Sequence, residues 1–340
     1  MRTDSFYFDL PKELIAQTPT EKRGASRLLV YNRADGSMTD TTVSQLSCFL
    51  PSDTLLVFNN SRVRKARVYA ESETGARVEF LFLRRFDDFH WEAVASKLKK
   101  QVVGKRYRFL DGSEAVISKE FDRTRVLEFP FAIREEFFER NGLIPLPPYI
   151  KRKAVETDSD RYQTVYADFN KTGSAAAPTA GLHFTPEILA ELKEKGIDIA
   201  FVTLHVGLGT FLPVTVENIE DHKMHTEDYE VSPETADAVN RAKRAGRPVC
   251  AVGTTSVRTL EAAWNGEAVR SGYGKTDIFI YPGYRFHVVD KLFTNFHTPD
   301  SSLILLVSAF AGTDAIRSCY RHAIEERYRF FSYGDATLFL

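Results

Sequence analysis

Two rhythms along the chain predict an α/β fold: a mixed, largely parallel sheet domain with an inserted small antiparallel β-barrel domain. Over residues 63–129 apolar and polar residues alternate in short runs, with no helical stretch between them. After residue 185 a helix, a glycine stop and an apolar strand recur, the order that builds parallel strand pairs. Between these regions PLPPYI, 145–150, is too stiff and too poor in N–H donors for a sheet interior, and it marks the return from the insert. The expected division gives 1–62 and 150–340 to a discontinuous α/β domain and 63–149 to the barrel.

Each element follows from a local pattern. ARVYA, RVEFLFL, HWEAVA, KRYRFL, EAVISK and RVLEF are the strand-like runs of the insert, separated by turn pairs such as Thr74-Gly75 and Asp111-Gly112. Thr185 as N-cap and Pro186 at the first helical position open the helix PEILAELKEK. Gly196 closes it, and IDIAFVTL follows as a strand. Ser232-Pro233 opens ETADAVNRAKRA, Gly246 ends it, and PVCAV is the next strand. KTDIFIY and LFTNF read as strands, SLILLVSAFA and TDAIRSCYRHAIEERY as helices. In such sheets ligands sit at the carboxyl ends of the strands.

The bulk numbers exclude several classes. With 43% hydrophobic and 27% charged residues the makeup is that of an ordinary water-soluble protein. Cys48, Cys250 and Cys319 form no C-x-x-C pair and read as reduced thiols. MRTDSFYFDL lacks an apolar signal core, and LILLVSAFA is too short to span a bilayer. The expectation is a cytoplasmic, membrane-free protein, with a monomer as the default. The net charge of −1 conceals an asymmetry: residues 61–110 hold 13 basic and 6 acidic side chains, the remainder 32 and 40. That pattern fits a polyanion-facing patch or a solvated face whose lysines lie along strands.

Several strand-end loops carry chemistry-bearing residues. TLHVGLGTF, 203–211, has the G-x-G spacing of a dinucleotide turn in Gly207 and Gly209. Its third small residue is missing, Leu212 standing there, and the β-branched LPVTV offers no helix N-terminus to a pyrophosphate. What survives is a glycine loop beside His205. His183 sits in AAAPTAGLHFT, His222 and His225 in DHKMHTED, and His297 closes LFTNFH. H-x-x-H with Glu227 nearby is a possible metal set, but the order of motifs matches no zinc signature, and no metal is expected. There is no G-x-S-x-G elbow for a serine hydrolase. GTTSVRT, 253–259, is a strand-to-helix turn whose Thr254, Thr255 and Arg258 suit a carboxylate, or provide an ordinary N-cap. NNSRVRKAR places Arg62, Arg64, Lys65 and Arg67 where the insert begins.

These motifs together, with FDLPKELIAQTP, YQTVYA, TDIFIYPGYRF, VVDKLFTNFHTPDSSLILLVSAFAG and YRFFSYGDA, resemble the S-adenosylmethionine:tRNA ribosyltransferase-isomerase family of queuosine biosynthesis. The match runs from Phe8 to about Ala336, and is poor over 71–138 and indistinct over 265–274. The resemblance implies an α/β domain with an inserted barrel. It implies an activity in which the ribosyl part of S-adenosylmethionine goes to the aminomethyl arm of a 7-deazaguanine at the tRNA wobble position. Isomerisation there gives epoxyqueuosine, while adenine and methionine leave. It implies no separate cofactor, since S-adenosylmethionine is consumed, and tRNA as the partner.

That chemistry needs a base for a carbon beside the sulfonium, an acid for departing adenine and an oxyanion donor. The resemblance therefore gives His205 or His183 the base and acid roles, with His222, His225 and His297 near the same pocket. Gly207 and Gly209 would admit the sugar, Thr254, Thr255 and Arg258 would take the methionine carboxylate, and Tyr281 or Phe286 would stack on a base. Arg62, Arg64, Lys65 and Arg67 would hold tRNA phosphate. The rivals are an RNA methyltransferase, which leaves S-adenosylhomocysteine, and a non-catalytic RNA-binding protein, whose binding is salt-sensitive and indifferent to the histidines.

Overall fold

Thr185 and Ser232, each followed by a proline, cap their helices in the computed structural model, which describes residues 1–207 and 213–340. The Thr185 hydroxyl accepts from the Ile188 N–H at 3.2 Å, and Ser232 does the same for Thr235. Each satisfies one of the N–H groups that a helix start leaves without an intrahelical acceptor. The helices run Pro186–Glu194 and Pro233–Arg244, and Gly196 and Gly246 end them at positive φ.

Two units divide the chain: Met1–Arg62 with Pro148–Arg152 and Gln163–Leu340, and Val63–Pro147 with Lys153–Tyr162. The stretch 153–162, given to the α/β domain on sequence grounds, groups with the second unit instead. It holds the short helix Asp158–Arg161, with Asp158 and Tyr162 buried. A boundary drawn at the proline-rich turn has no signal for that second excursion.

The first unit is built on a nine-stranded sheet. At its centre Asp198–Leu204, Leu55–Asn59, Val249–Val252 and Lys291–Asn295 lie side by side and parallel. Val249–Val252 and Leu55–Asn59 are buried along their whole length, as strands covered on both faces must be. Four of the eight neighbouring pairs are parallel and four antiparallel, so parallel pairing is a property of the centre rather than of most of the sheet. Both edge strands, Met38–Thr42 and Gly272–Thr276, pair antiparallel, the first through a short return from Arg27–Tyr31. KTDIFIY, expected as a strand, is largely not one: the strand is Gly272–Thr276. The Thr276 hydroxyl accepts from the Ile278 N–H at 3.1 Å and turns the chain out of the sheet, and Ile278, Phe279 and Tyr281 pack against the core. Ser302–Ala311 and Thr313–Glu325 are helices separated by Gly312 at φ 95°, and no single described helix is long and apolar enough to cross a membrane.

The second unit is a closed barrel. Arg67–Ser72, Arg77–Arg85, His90–Ala95, Arg125–Glu128, Glu114–Glu120 and Arg106–Phe109 pair antiparallel in that order, and the last returns to the first. Closure removes the free edges of so small a sheet. Its core is packed with rings, among them Phe80, Phe82, Trp91, Tyr107, Phe109, Phe129, Phe137 and Phe138.

Candidate active site

The carboxyl ends of the central parallel strands frame a cavity of about 280 Å³ within the first unit. Three segments supply its working wall: the small-residue loop 176–180, the turn Gly253-Thr254-Thr255, and Thr294 with Phe296 and His297. Gly253, at φ 87°, lets the chain pass directly from strand into the helix Thr254–Ala263. A Cβ there would make only ordinary contact with Ala180, at 3.5 Å, so the backbone conformation rather than space asks for glycine. No side chain caps this helix start, and its first N–H groups border the cavity with the positive end of the helix dipole.

Behind this wall a fully buried amide joins three motifs. The Asn59 side chain donates to the Leu204 carbonyl at 3.0 Å and to the Thr255 hydroxyl at 3.2 Å, and accepts from the N–H groups of Ser61 and Leu204. A second tie lies one strand away. Glu227 accepts from the Gly207 N–H at 3.2 Å and from Arg258 Nη1, both charged side chains being at least 95% buried. Arg258 Nε donates on to the Ile278 carbonyl. Breaking such a pair by removing one partner leaves a buried charge uncompensated.

The five histidines separate by environment. His297 alone among the histidines of the described residues lines the cavity; its Nε2 lies 3.0 Å from the Thr294 hydroxyl and its N–H donates to the Tyr320 hydroxyl. Burial pushes its imidazole down to about 3. His183, also buried, receives the Asn295 amide on Nε2 at 3.1 Å, and burial holds it down at about 4 against the raising effect of that bond. His205 is half-buried at the strand end, where a Cβ on Gly173 would stand 3.3 Å from its ring. His222 packs on Phe279 with centroids 5.1 Å apart and is lowered by burial and then by His225, which is exposed. Among the described residues no three His, Cys, Asp or Glu side chains converge as a metal site requires.

The remaining expected site residues scatter. Thr254 and Thr255 line the cavity, whereas Arg258 is held by Glu227 and does not. Gly207 adjoins it through Val206, and a Cβ there would meet open space, so packing does not demand glycine; Gly209 lies outside the described residues. Tyr281 and Phe286 are half-buried against the core, Tyr281 on Phe279 and Phe286 on Tyr284 and Phe310. Arg62 lies over the Phe169 ring in the first unit. In the barrel unit Arg64 pairs with Glu135, Lys65 with Glu139 at 2.8 Å and Arg67 with Glu79 at 3.5 Å. That unit as a whole carries 19 basic and 17 acidic residues, so the local excess over 61–110 is largely answered by acids later in its own sequence.

Sequence reasoning missed Asn59, Asn295, Glu227 as a buried partner, and Glu261. The Glu261 carboxylate, 4% exposed, accepts from the successive N–H groups of His287, Val288 and Val289 and from the Tyr284 hydroxyl. A charged residue inside an otherwise apolar helical pattern, EAAW, is the one signal that could have found it.

A profile of the family described as "Queuosine biosynthesis protein" matches residues 3–339. The chain is similar to the S-adenosylmethionine:tRNA ribosyltransferase-isomerases of Treponema denticola, at 55% identity over all of both chains, and of Clostridioides difficile, at 50% over 99% of each. Among solved structures it is similar to the S-adenosylmethionine tRNA ribosyltransferase of Thermotoga maritima, 35% identical, with a TM-score of 0.57 over 99% of this chain and all of that one.

Proposed function

The chain belongs to the S-adenosylmethionine:tRNA ribosyltransferase-isomerase family of queuosine biosynthesis, and from that membership and its cavity we propose the reaction and the residues that serve it. The protein transfers the ribosyl part of S-adenosylmethionine to the aminomethyl arm of the deazaguanine wobble base of tRNA and isomerises it to the epoxide, releasing adenine and methionine. The observation that carries the reading is the cavity itself: an uncapped helix N-terminus and a neutral imidazole at the carboxyl ends of parallel strands. S-Adenosylmethionine is a consumed substrate here.

In this reading the N–H groups at Thr254 and Thr255 take the methionine carboxylate. Arg258 supports them from behind by fixing Glu227, and through it Gly207. His297 lines the cavity, and burial keeps its imidazole in the neutral form that has a lone pair to offer. It removes the proton from the carbon beside the sulfonium and returns it to the departing adenine, so one imidazole serves both steps and ends as it began. His183 acts through Asn295, outside the reacting atoms. His205 is the second candidate for the base, at the strand end beside Gly173.

The test is to mix protein, S-adenosylmethionine and tRNA bearing the aminomethyl-deazaguanine and to measure free adenine. Adenine with methionine is the expected result. S-Adenosylhomocysteine instead would make the protein a methyltransferase, and tRNA binding without either product would make it a binding protein. A kcat/KM profile then separates the histidines. With His297 as base no acid limb belongs to it between pH 5 and 8; a limb in that range that disappears in His205→Gln would transfer the role to His205.

A further inference from the structure

Of the described non-glycine residues only Lys97, Arg327 and Phe331 have positive φ, and Phe331, at 73°, alone among them is buried. A bulky side chain in that region costs free energy and persists where its surroundings over-determine it. Three ties hold Phe331. Its N–H donates to the Phe296 carbonyl at 3.1 Å, and its carbonyl accepts from the Gly334 N–H and the Asn295 side-chain amide, each at 3.0 Å. Gly334 keeps the turn this tight, since a Cβ there would stand 2.5 Å from the Arg329 carbonyl oxygen. The strained residue lines the candidate cavity, and its ring lies against that of Tyr149, which lines it too, with centroids 4.7 Å apart and planes tilted by 55°. The Tyr149 hydroxyl is hydrogen-bonded to that of Ser332, and its carbonyl accepts from the Gln17 amide at 3.0 Å. Both rings are therefore fixed in place by the protein itself.

The lining of the cavity is of two kinds, a polar wall at the helix start and this pair of rings. Among its described lining residues there is no lysine or arginine, and Asp300 is the one carboxylate. Such a lining suits a cationic ligand with a flat apolar part, and it offers no counter-charge to a phosphate. S-Adenosylmethionine has that chemistry: its sulfonium and ammonium outweigh its one carboxylate, and adenine is its flat part. With the carboxylate at Thr254 and Thr255, the purine is left to the rings. We infer that Tyr149 and Phe331 form the adenine subsite and hold the purine by its face. This rests on the reading of S-adenosylmethionine as substrate and adds the residues that recognise its base. A base of tRNA would bring flanking phosphates to a lining without a described cation.

Phe331→Leu and Tyr149→Leu each remove one ring and keep an apolar side chain, whereas Tyr149→Phe keeps the ring. Equilibrium dialysis of the full chain against labelled adenosine and labelled methionine, with filter binding of tRNA, reads the three contacts separately and without turnover. Adenosine is expected to bind each leucine variant about tenfold more weakly, within the range for one lost base stack, and Tyr149→Phe within about twofold of the parent. Methionine and tRNA bind all three variants as they bind the parent, which also shows that the variants are folded. Adenosine binding within twofold of the parent in both leucine variants overturns the inference, as does a parent that binds no adenosine. An equal loss of adenosine and methionine overturns it as well, because a collapsed wall rather than a missing ring would then be the cause. Loss of tRNA with adenosine unchanged would give the rings to the wobble base instead. A parent that binds adenosine on these rings but releases no adenine from S-adenosylmethionine defeats the reaction proposed above and leaves the subsite standing.

Discussion

The barrel and the nine-stranded sheet fill their interiors with different material. Inside the barrel Phe82 touches Trp91, Phe129, Phe137 and Phe138 ring to ring. Its buried Arg125 directs its donors at carbonyls of Leu98, Gln101, Phe121 and Thr124, closing loops of the same unit. Inside the sheet unit Asn59, Glu227, Arg258, Glu261, Asn295 and His183 are buried, and each is tied to a strand end or loop near or behind the cavity. Aromatic packing makes a unit rigid at little electrostatic cost. Buried polar side chains cost desolvation, and they are concentrated where a particular geometry must be held.

The contrast can be broken by mutation. Phe82→Ala in the barrel should cost about 3–5 kcal/mol of stability in urea unfolding, as large-to-small changes in aromatic cores do. Glu227→Ala in the sheet unit should cost about as much, roughly 3–5 kcal/mol, because Arg258 is left buried without its partner. The two should part in kinetics: the Glu227 variant is expected to lose kcat at a temperature where it remains folded, through the released Gly207 N–H. Equal kinetic effects from both variants would erase the distinction drawn here.

Acid should expose the sheet unit first. The folded-state pKa values of His183 and His297, about 4 and about 3, lie below the ordinary value of 6.5. Between those limits the unfolded chain binds more protons than the folded one, so stability is complete above about pH 6.5 and falls as pH falls. His183 alone should account for a loss on the order of 3 kcal/mol between pH 7 and pH 4. Urea midpoints across that range check it, and His297→Gln should flatten the slope. The smallest effect belongs to the barrel surface: Lys65→Gln, which breaks an ion pair with a half-exposed Glu139, should change stability by less than about 1 kcal/mol.

Much of the architecture was legible because its cues are local. Alternation located all six strands of the closed barrel, and the Thr-Pro and Ser-Pro pairs located two helix starts. Misreadings arose where an apolar run had a different burial from the one its period implied. IFIY is a half-buried loop rather than a strand, since Thr276 diverts it. The candidate site was legible as a set of loops, but not side chain by side chain. Arg258 reads as a free carboxylate ligand until Glu227, 31 residues earlier, is folded against it. Arg64 and Lys65 read as free cations until Glu135 and Glu139 reach them across some 70 residues. Tyr273 carries no sequence signal of exposure, because only the finished sheet edge leaves its ring outside.

Glu261 has a consequence for anyone who would redesign the protein. Three successive amides, at 287–289, form the kind of concavity that elsewhere captures a phosphate, and here a carboxylate from the neighbouring helix already occupies it. The shape of that loop is therefore stored in the helix rather than in the loop. A graft of YPGYRFHVV into another scaffold would collapse unless position 261 travelled with it.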